Sequence, residues 1–204
     1  MSLNVLVLES DRGAAEDAAR NLADSGHVVL RCHDPGAPAF PCRGIVDQSA
    51  CPLRTHTVDV AVDVRSRPRS QPTPDEDGVR CSLMHRVPLV VAGPSVLDPY
   101  EPFEAAIVDR AGDVVAACEA VAEAELARHG RVATEALRAS RTPHDTLADA
   151  RAVVTRRSGR LRVSLSGLGA LAPLQRDAAV VRALGKLRKF DSSAKGIDIV
   201  LEPS

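Results

Sequence analysis

The stretch from Asn4 to Asp11, Asn-Val-Leu-Val-Leu-Glu-Ser-Asp, constrains the fold more than any other part of the chain. It is almost entirely apolar until it ends in acidic and hydroxyl residues, and a helical pattern follows at once. A short apolar run of this kind is typical of a strand that is covered on both faces. We therefore expect the central strand of a parallel sheet, with Glu9, Ser10 and Asp11 at its carboxyl end, where the sites of such sheets lie.

Alternating strand and helix patterns continue to about residue 125. Four further apolar runs follow the first, at residues 28–30, 58–64, 87–92 and 104–108. Helical periodicity lies between some of them, at residues 14–22 and 78–86, and follows the last at residues 112–128. Strands that alternate with helices indicate a parallel sheet with right-handed crossovers. The sequence therefore predicts an α/β domain over residues 1–125, with a doubly wound, flavodoxin-like sheet of five parallel strands.

The remainder of the chain has a different pattern. Helical character over residues 126–142, with a fray at Gly130, predicts a linker helix, and residues 143–204 predict a small basic α+β domain. Thr142-Pro143 is a helix start signal. Clean alternation over Arg160–Ser166 predicts a strand with one wet face, and residues 197–201 predict a closing strand. Residues 152–156 fit either a partner strand, joined to Arg160 by a turn at Ser158-Gly159, or the end of a helix.

The segment Pro173–Phe190 predicts an amphipathic helix with one apolar stripe and one basic face. We expect five apolar residues to point inward: Leu174, Ala178, Val181, Leu184 and Leu187. Four basic residues form the outward face, Arg182, Lys186, Arg188 and Lys189, and they are the candidate contacts for an anionic partner. Nucleic acid is the less favoured partner, because no helix-turn-helix pattern occurs and aromatic residues for base stacking are scarce.

Charge is divided unevenly along the chain. Residues 1–125 contain 11 Lys and Arg against 20 Asp and Glu, a net of −9, whereas residues 126–204 contain 15 against 7, a net of +8. Opposed charges of this size favour attraction between the halves, within or between chains. No secretory signal and no membrane-spanning run is recognisable, so we expect a cytoplasmic protein. The odd number of five cysteines then favours free thiols or metal ligands over disulfides.

The order of apolar segments in residues 4–125 resembles the receiver domain of bacterial response regulators. In that family an acidic pair after the first strand binds Mg²⁺, and an Asp ending the third strand accepts a phosphoryl group. The resemblance assigns Glu9 and Asp11 to the acidic pair and Asp63 to the phosphoacceptor, with Mg²⁺ needed only if Asp63 is phosphorylated. Two family features are missing, because Gly93 occupies the hydroxyl position after the fourth strand and no lysine precedes Lys186. The resemblance thus implies a degenerate receiver, or pseudo-receiver.

Residues 145–204 are weakly similar to BON domains and to the alkaline-shock-protein family. The run Arg-Val-Ser-Leu-Ser-Gly, the following helix and the closing strand carry this likeness. Both families consist largely of binding or scaffolding modules. The resemblance therefore implies that this part of the chain binds a partner or a surface.

The segment between Cys32 and Thr57 is rich in proline and lacks core periodicity, although an α/β domain would place a helix there. Five residues in it have side chains that bind metals, Cys32, His33, Cys42, Cys51 and His56. Thiolate and imidazole ligands suit Zn²⁺, and thiolates suit an iron–sulfur cluster. A redox-responsive thiol pair and thiols with no special role remain open. Cys81 joins these residues only if its helix folds over the loop, and Cys118 is expected in the core.

No nucleophile elbow, dinucleotide-binding glycine motif or phosphate-binding loop occurs, so we do not expect an enzyme. The leading hypothesis is a non-enzymatic regulatory protein in which the pseudo-receiver acts through contacts with a protein partner or in a homodimer. The alternatives are a metal or redox sensor that uses the Cys32–His56 loop, and a response regulator with a working phosphoacceptor at Asp63.

Overall fold

The computed structural model describes residues 2–68, 70–94, 98–139, 147–157, 160–191, 194 and 196–202. The chain divides into two compact units, residues 1–122 and residues 123–204. The predicted helix start at Thr142-Pro143 and the turn at residues 158–159 lie outside the described residues.

A five-stranded, entirely parallel sheet forms the centre of the first unit. Its strands are β1 (Asn4–Glu9), β2 (Val28–Leu30), β3 (Val60–Val64), β4 (Leu89–Ala92) and β5 (Glu104–Val108), in the spatial order β2-β1-β3-β4-β5. Its helices are α1 (Glu16–Asp24), α2 (Arg43–Val46), α3 (Pro52–Thr55) and α4 (Asp77–Met84), and α5 (Val114–Arg138) begins in this unit. The predicted α/β architecture with five parallel strands is confirmed. The first apolar run is an interior strand between β2 and β3, but the middle strand of the sheet is β3, so the predicted central position is wrong.

Strand β1 is buried on both faces, which explains its unbroken apolar sequence. Val5 and Val7 pack with α1 and the first turns of α5, whereas Leu6 and Leu8 pack on the other face with α3 and α4. Both faces of the sheet are therefore covered by helices. This layering leaves the carboxyl end of the strands as the open edge of the unit.

The proline-rich segment predicted to be irregular contains two single-turn helices, α2 and α3. Pro52 occupies the first turn of α3, where its missing N–H costs nothing. The backbone N–H of Arg43 donates to the carbonyl of Cys32 at 3.1 Å, and so ties this segment to the end of β2. The segment lies against the α4 face of the sheet, where Leu53 is buried in the core.

The second unit contains a three-stranded sheet. Its strands are β6 (Arg151–Arg157), β7 (Arg160–Ser166) and β8 (Ile197–Leu201), its helix is α6 (Pro173–Phe190), and the later turns of α5 belong to it. Strands β6 and β7 are antiparallel, and β8 pairs parallel to β7. Residues 152–156 are therefore a strand, which settles the alternative that the sequence left open.

The helical periodicity of α6 was correctly recognised, but of the five residues predicted to point inward only Leu187 is buried. The buried residues are Ala179, Ala183 and Leu187, one turn apart, whereas Leu174 and Val181 are 82% and 67% exposed. Small residues face the sheet because they allow a close approach of the helix. Large side chains alone therefore did not identify the buried face.

Candidate functional site

The acidic residues selected from the sequence lie at one edge of the parallel sheet. Strands β1 and β3 pair in register, with Leu8 opposite Asp63 and Glu9 opposite Val64. Glu9 and Asp63 are both buried at this carboxyl edge, and Ser10 is buried beside them. The edge therefore forms the first candidate site, which we call the acidic pocket: Ser10, Asp63, Arg65, Glu76, Asp98 and Tyr100.

The carboxylates of Glu9 and Asp11 accept hydrogen bonds from neighbouring loops. Glu9 Oε2 accepts hydrogen bonds from the backbone N–H groups of Gly13 (2.9 Å) and Ala15 (3.3 Å), in the turn before α1. Asp11 accepts from the hydroxyl of Ser66 at 2.8 Å and from Nε of Arg67 at 2.9 Å, in the loop after β3. These two carboxylates therefore have structural partners of their own at the edge of the sheet.

Asp63 is fully buried and lies in a network with another carboxyl group and a guanidinium. Arg65 Nε donates to Asp63 Oδ2 at 2.9 Å and lies 3.6 Å from Glu76 Oε1. The hydroxyl of Ser10 lies 3.1 Å from both oxygens of Asp63 and also hydrogen-bonds to Glu76. Ser10 therefore joins two carboxyl groups that share one buried cation.

The protonation of this network follows from its burial. Desolvation raises the pKa of Asp63 to about 7, and the negative charge of Glu76 acts in the same direction, against the opposing effects of Arg65 and Ser10. A serine hydroxyl has one proton to donate, whereas carboxyl oxygens of both Asp63 and Glu76 surround it. Asp63 in its protonated form provides the additional donor that this arrangement needs.

Arg65 is also anchored on its far side. Its Nη1 donates to Asp98 Oδ2 at 2.7 Å, and its guanidinium carbon lies 5.6 Å from the centre of the Tyr100 ring. The phenol of Tyr100 donates to Glu76 Oε2 at 3.3 Å. The side chains of Arg65 and Asp63 are both fully buried.

Glu76 enters the pocket because of the way α4 begins. Thr73 and Glu76 form a capping box, in which the Thr73 backbone N–H donates to Glu76 Oε2 at 2.7 Å. The Thr73 hydroxyl donates to the carbonyl of Ser10 at 3.0 Å. The same helix start thus fixes Glu76 against β1 and presents its second oxygen to Ser10.

Gly93, at the end of β4, is constrained by Arg65. It has a φ of +114°, and a Cβ atom built on it would lie 2.1 Å from the carbonyl oxygen of Arg65. A side chain at this position would therefore collide with the backbone that carries the guanidinium. The position where the receiver family has a hydroxyl residue accepts only glycine in this conformation.

A second candidate site lies on the α4 face of the same unit. Four of the five free cysteines line one pocket of about 590 Å³, Cys32, Cys42, Cys51 and Cys81. Helix α4 does fold over the proline-rich segment and brings Cys81 to the three cysteines that the sequence had grouped. We call this arrangement the cysteine pocket.

The two candidate histidine ligands differ in position. His33 is buried and lines the cysteine pocket, with Nδ1 3.0 Å from the carbonyl of Asp34. His56 is exposed, bonds to the hydroxyl of Thr55 at 2.9 Å, and is not among the residues that line the pocket. Cys118 is fully buried in the other core cluster, and burial raises its pKa to about 12.

In the second unit, the four basic residues of α6 selected from the sequence, Arg182, Lys186, Arg188 and Lys189, are all exposed on the helix. The same unit contains a buried His129, whose Nε2 lies 3.0 Å from Asp191 Oδ2 and whose Nδ1 lies 2.7 Å from the carbonyl of Glu125. Burial lowers the pKa of His129, but the bonds to Asp191 and Glu125 outweigh it and leave the pKa above its usual value. His129 also contacts the ring of Phe190 edge-on at 5.0 Å, so this group ties the end of α6 to α5.

Sequence reasoning missed four members of the acidic pocket, Arg65, Glu76, Asp98 and Tyr100. Arg65 follows Asp63 by two residues, and this spacing places both on the same face of an extended chain. Glu76 carries the capping signature Thr-x-x-Glu with Thr73. Asp98 has no local signal, since only the folded chain brings it to Arg65.

Comparison with models of protein families, with curated protein sequences and with solved structures finds no match to this chain. Within the described part of the chain, no helix has the length and apolar character needed to cross a membrane.

Proposed function

We propose that this chain is a non-enzymatic regulatory protein whose first unit is a receiver-like domain with a permanently closed acidic pocket. The strand order β2-β1-β3-β4-β5 supports the proposal, because it is the order of flavodoxin-like sheets, which bind at the carboxyl edge. The observation that carries it is the complete burial of Asp63 in an ion pair with Arg65. An aspartate paired and buried in this way is not available to a phosphodonor.

The other departures from a working receiver are linked to this pair. Arg65 supplies inside the pocket the positive charge that the receiver family takes from a lysine, and its backbone excludes a side chain at position 93. A phosphoryl group on Asp63 would require both the guanidinium and the carboxyl proton to leave. The acidic pocket is therefore a structural ion network. On this proposal, the protein regulates through its contacts with other proteins.

Phosphorylation chemistry tests the closed pocket directly. The full-length protein is incubated with acetyl phosphate and Mg²⁺, and its intact mass is compared with that of Asp63→Asn. We expect no gain of a phosphoryl mass in either protein. A gain in the wild type that Asp63→Asn abolishes would overturn the proposal and establish the phosphoacceptor alternative.

Exposed apolar side chains around the cysteine pocket support action through protein contacts. Phe40, Ile45, Met84 and Phe103 are each at least 60% exposed and border this pocket. The full chain as bait, compared with a Met84→Glu/Phe103→Glu variant, tests this surface. A protein retained by the wild type and lost with the variant supports the proposal, whereas equal retention by both refutes the assignment of the surface.

The cysteine pocket favours a second candidate function, a metal or redox sensor. Four thiols from separate segments border one pocket beside the exposed apolar side chains. A group bound there would be placed to alter the contact surface when it is lost or oxidised.

A further inference from the structure

The four pocket cysteines are brought together by three different parts of the chain. Cys32 follows β2, Cys42 and Cys51 flank the single-turn helices α2 and α3, and Cys81 lies within α4. All four belong to the same hydrophobic cluster on the α4 face of the sheet. Because these cysteines are distant in sequence, it is the fold that brings them to one pocket.

Two close contacts fix the arrangement in detail. The Arg43 N–H bonds to the Cys32 carbonyl at 3.1 Å, and so holds the turn of Cys42 beside Cys32. A Cβ atom on Gly44 would lie 2.8 Å from Cβ and 3.3 Å from Sγ of Cys51. Cys51 therefore packs directly on the backbone of α2, at a position where only glycine leaves room.

Cysteines bind metal centres as thiolates, and a bound metal centre deprotonates its thiols outright.

The spacing of the side chains disfavours one metal ion. A tetrahedral Zn²⁺ site with Zn–S bonds of about 2.3 Å requires its sulfurs to lie within about 4 Å of each other. Among the described residues, no three Cys, His, Asp or Glu side chains are gathered closely enough to hold one ion. A cubane iron–sulfur cluster sets its four cysteine ligands farther apart, one on each iron atom, and fills a larger space.

The surroundings suit such a cluster. Leu8, Ala39, Leu53 and Leu83 line the pocket with apolar surface, which limits solvent access to bound iron. Arg80 also lines it, together with Asp75 and Asp77. A cluster ligated by four thiolates is dianionic, and among these charged side chains the guanidinium of Arg80 is the one that stabilises it.

From this geometry we propose that Cys32, Cys42, Cys51 and Cys81 bind a [4Fe–4S] cluster in the pocket that they line. The inference is independent of the closed acidic pocket, since none of the four thiols belongs to it. Binding is a ligand exchange without electron transfer. Each cysteine thiol replaces one thiolate on a preformed cluster and gives its proton to the thiolate that leaves.

Cluster transfer to the full-length protein tests the proposal. Anaerobically purified, reduced protein is mixed with a synthetic [4Fe–4S] thiolate complex and desalted. We expect about four iron atoms and four sulfides per chain, with visible absorption that dithionite bleaches. Chains that retain no iron, or purified protein that already holds one zinc ion per chain and takes up no cluster, would overturn the proposal.

Matched variants separate ligation from folding. Cys81→Ala removes a half-buried thiol from α4, whereas the control Cys118→Ala removes a fully buried thiol in the other core cluster. We expect Cys81→Ala to lose most of the bound iron and Cys118→Ala to retain it. Far-UV circular dichroism of both variants shows that each is folded. Equal iron content in folded samples of the two variants would contradict ligation by Cys81.

The remaining ligands are tested by the same measurement. Cys42→Ala and Cys51→Ala, both half-buried, should lower the iron content as Cys81→Ala does. The electron paramagnetic resonance signal of the reduced cluster should be lost in parallel with the iron. Retention of the wild-type signal in either variant would remove that cysteine from the ligand set and overturn the four-cysteine assignment.

Discussion

Replacing Arg65 by methionine tests the acidic pocket most directly. The change keeps much of the side-chain length but removes the only guanidinium that the described pocket contains. Asp63 loses its charged partner at 2.9 Å, and Asp98 loses its partner at 2.7 Å. Both carboxyl groups stay in place, because strand β3 and the turn at Tyr100 hold their backbones.

The expected cost follows from these two contacts. A hydrogen bond between charged groups contributes about 1.5–3 kcal/mol, and breaking a buried ion pair by removing one partner typically costs about 3–5 kcal/mol. We therefore expect Arg65→Met to lower the free energy of unfolding of the first unit by about 4 kcal/mol at pH 7.5. The loss should be smaller at pH 5, because protonation of Asp63 then removes the buried negative charge that Arg65 neutralises.

Tyr100 provides a fluorescent probe of unfolding, and Arg67 provides a matched control. Tyr100 is the only tyrosine and no tryptophan is present, so intrinsic fluorescence during urea unfolding reports on the acidic pocket. Arg67→Met is the matched control. The side chain of Arg67 is 67% exposed and pairs with Asp11 at 2.9 Å, and an exposed pair of this kind contributes at most about 1 kcal/mol.

Comparable losses in the two variants would refute the reasoning. If Arg65→Met costs less than about 1 kcal/mol at pH 7.5, the guanidinium does not neutralise a buried carboxyl pair. A loss that is large but independent of pH would instead indicate that Arg65 acts through packing alone. Only a large loss that grows between pH 5 and 7.5 agrees with the network.

Three further predictions concern single groups. In the wild type, folding raises the pKa of Asp63 to about 7, so the folded state binds a proton that the unfolded state releases. The free energy of unfolding should therefore fall as the pH rises from about 4 to 7. Asp63→Asn should remove this pH dependence from the urea midpoints measured by Tyr100 fluorescence. Gly93→Ala should destabilise the first unit by at least about 2 kcal/mol in the same assay, because of its positive φ and the 2.1 Å contact with Arg65. For His129, an NMR titration should give a pKa above the ordinary value of about 6.5, and Asp191→Asn should lower this pKa. The stability that the His129–Asp191 pair contributes below about pH 6.5 should be lost as the pH rises through the folded-state pKa of His129.

The parts of the fold that the sequence predicted are those with a local physical cause. Strand β1 is apolar throughout because both of its faces are buried. The alternation of apolar and polar residues along β7 likewise identifies it as a strand with one buried face. The sequence predicted a fray in the helix at Gly130, whereas helix α5 is continuous from Val114 to Arg138. A glycine costs a helix about 1 kcal/mol, and neighbouring packing offsets that amount. A Cβ atom on Gly130 would lie 3.0 Å from the carbonyl of Ala152, so the glycine allows β6 to approach the helix.

The site was harder to predict because its important contacts are not local. The sequence identified Asp63 and grouped three of the four pocket cysteines, since each lies at a strand end or in one segment. Glu76 reaches Asp63, and Asp98 reaches Arg65, only through the folding of the chain. A residue's charge is visible in the sequence, whereas its partner depends on the loops between strands.

Helix α4 physically connects the two candidate sites. Glu76, immediately before the helix, belongs to the acidic pocket, and Cys81, one turn further on, lines the cysteine pocket. Between them, a Cβ atom on Gly78 would lie 2.4 Å from Cδ2 of Leu8, so the helix is pressed against β1. A displacement of Glu76 must therefore move the backbone that carries Cys81.

This connection makes cluster retention depend on the acidic pocket. Arg65→Met leaves Glu76 without its nearest cation and loosens the start of α4, so the loaded variant should release iron to a chelator several-fold faster than the wild type. Arg67→Met should release it at the wild-type rate, because Arg67 pairs with Asp11 and not with the helix. Binding energy and folding energy are linked, so a site that stabilises α4 must be weakened by whatever destabilises α4. Equal release rates for Arg65→Met and Arg67→Met, measured under conditions where both are folded, would show that α4 transmits nothing between the two pockets.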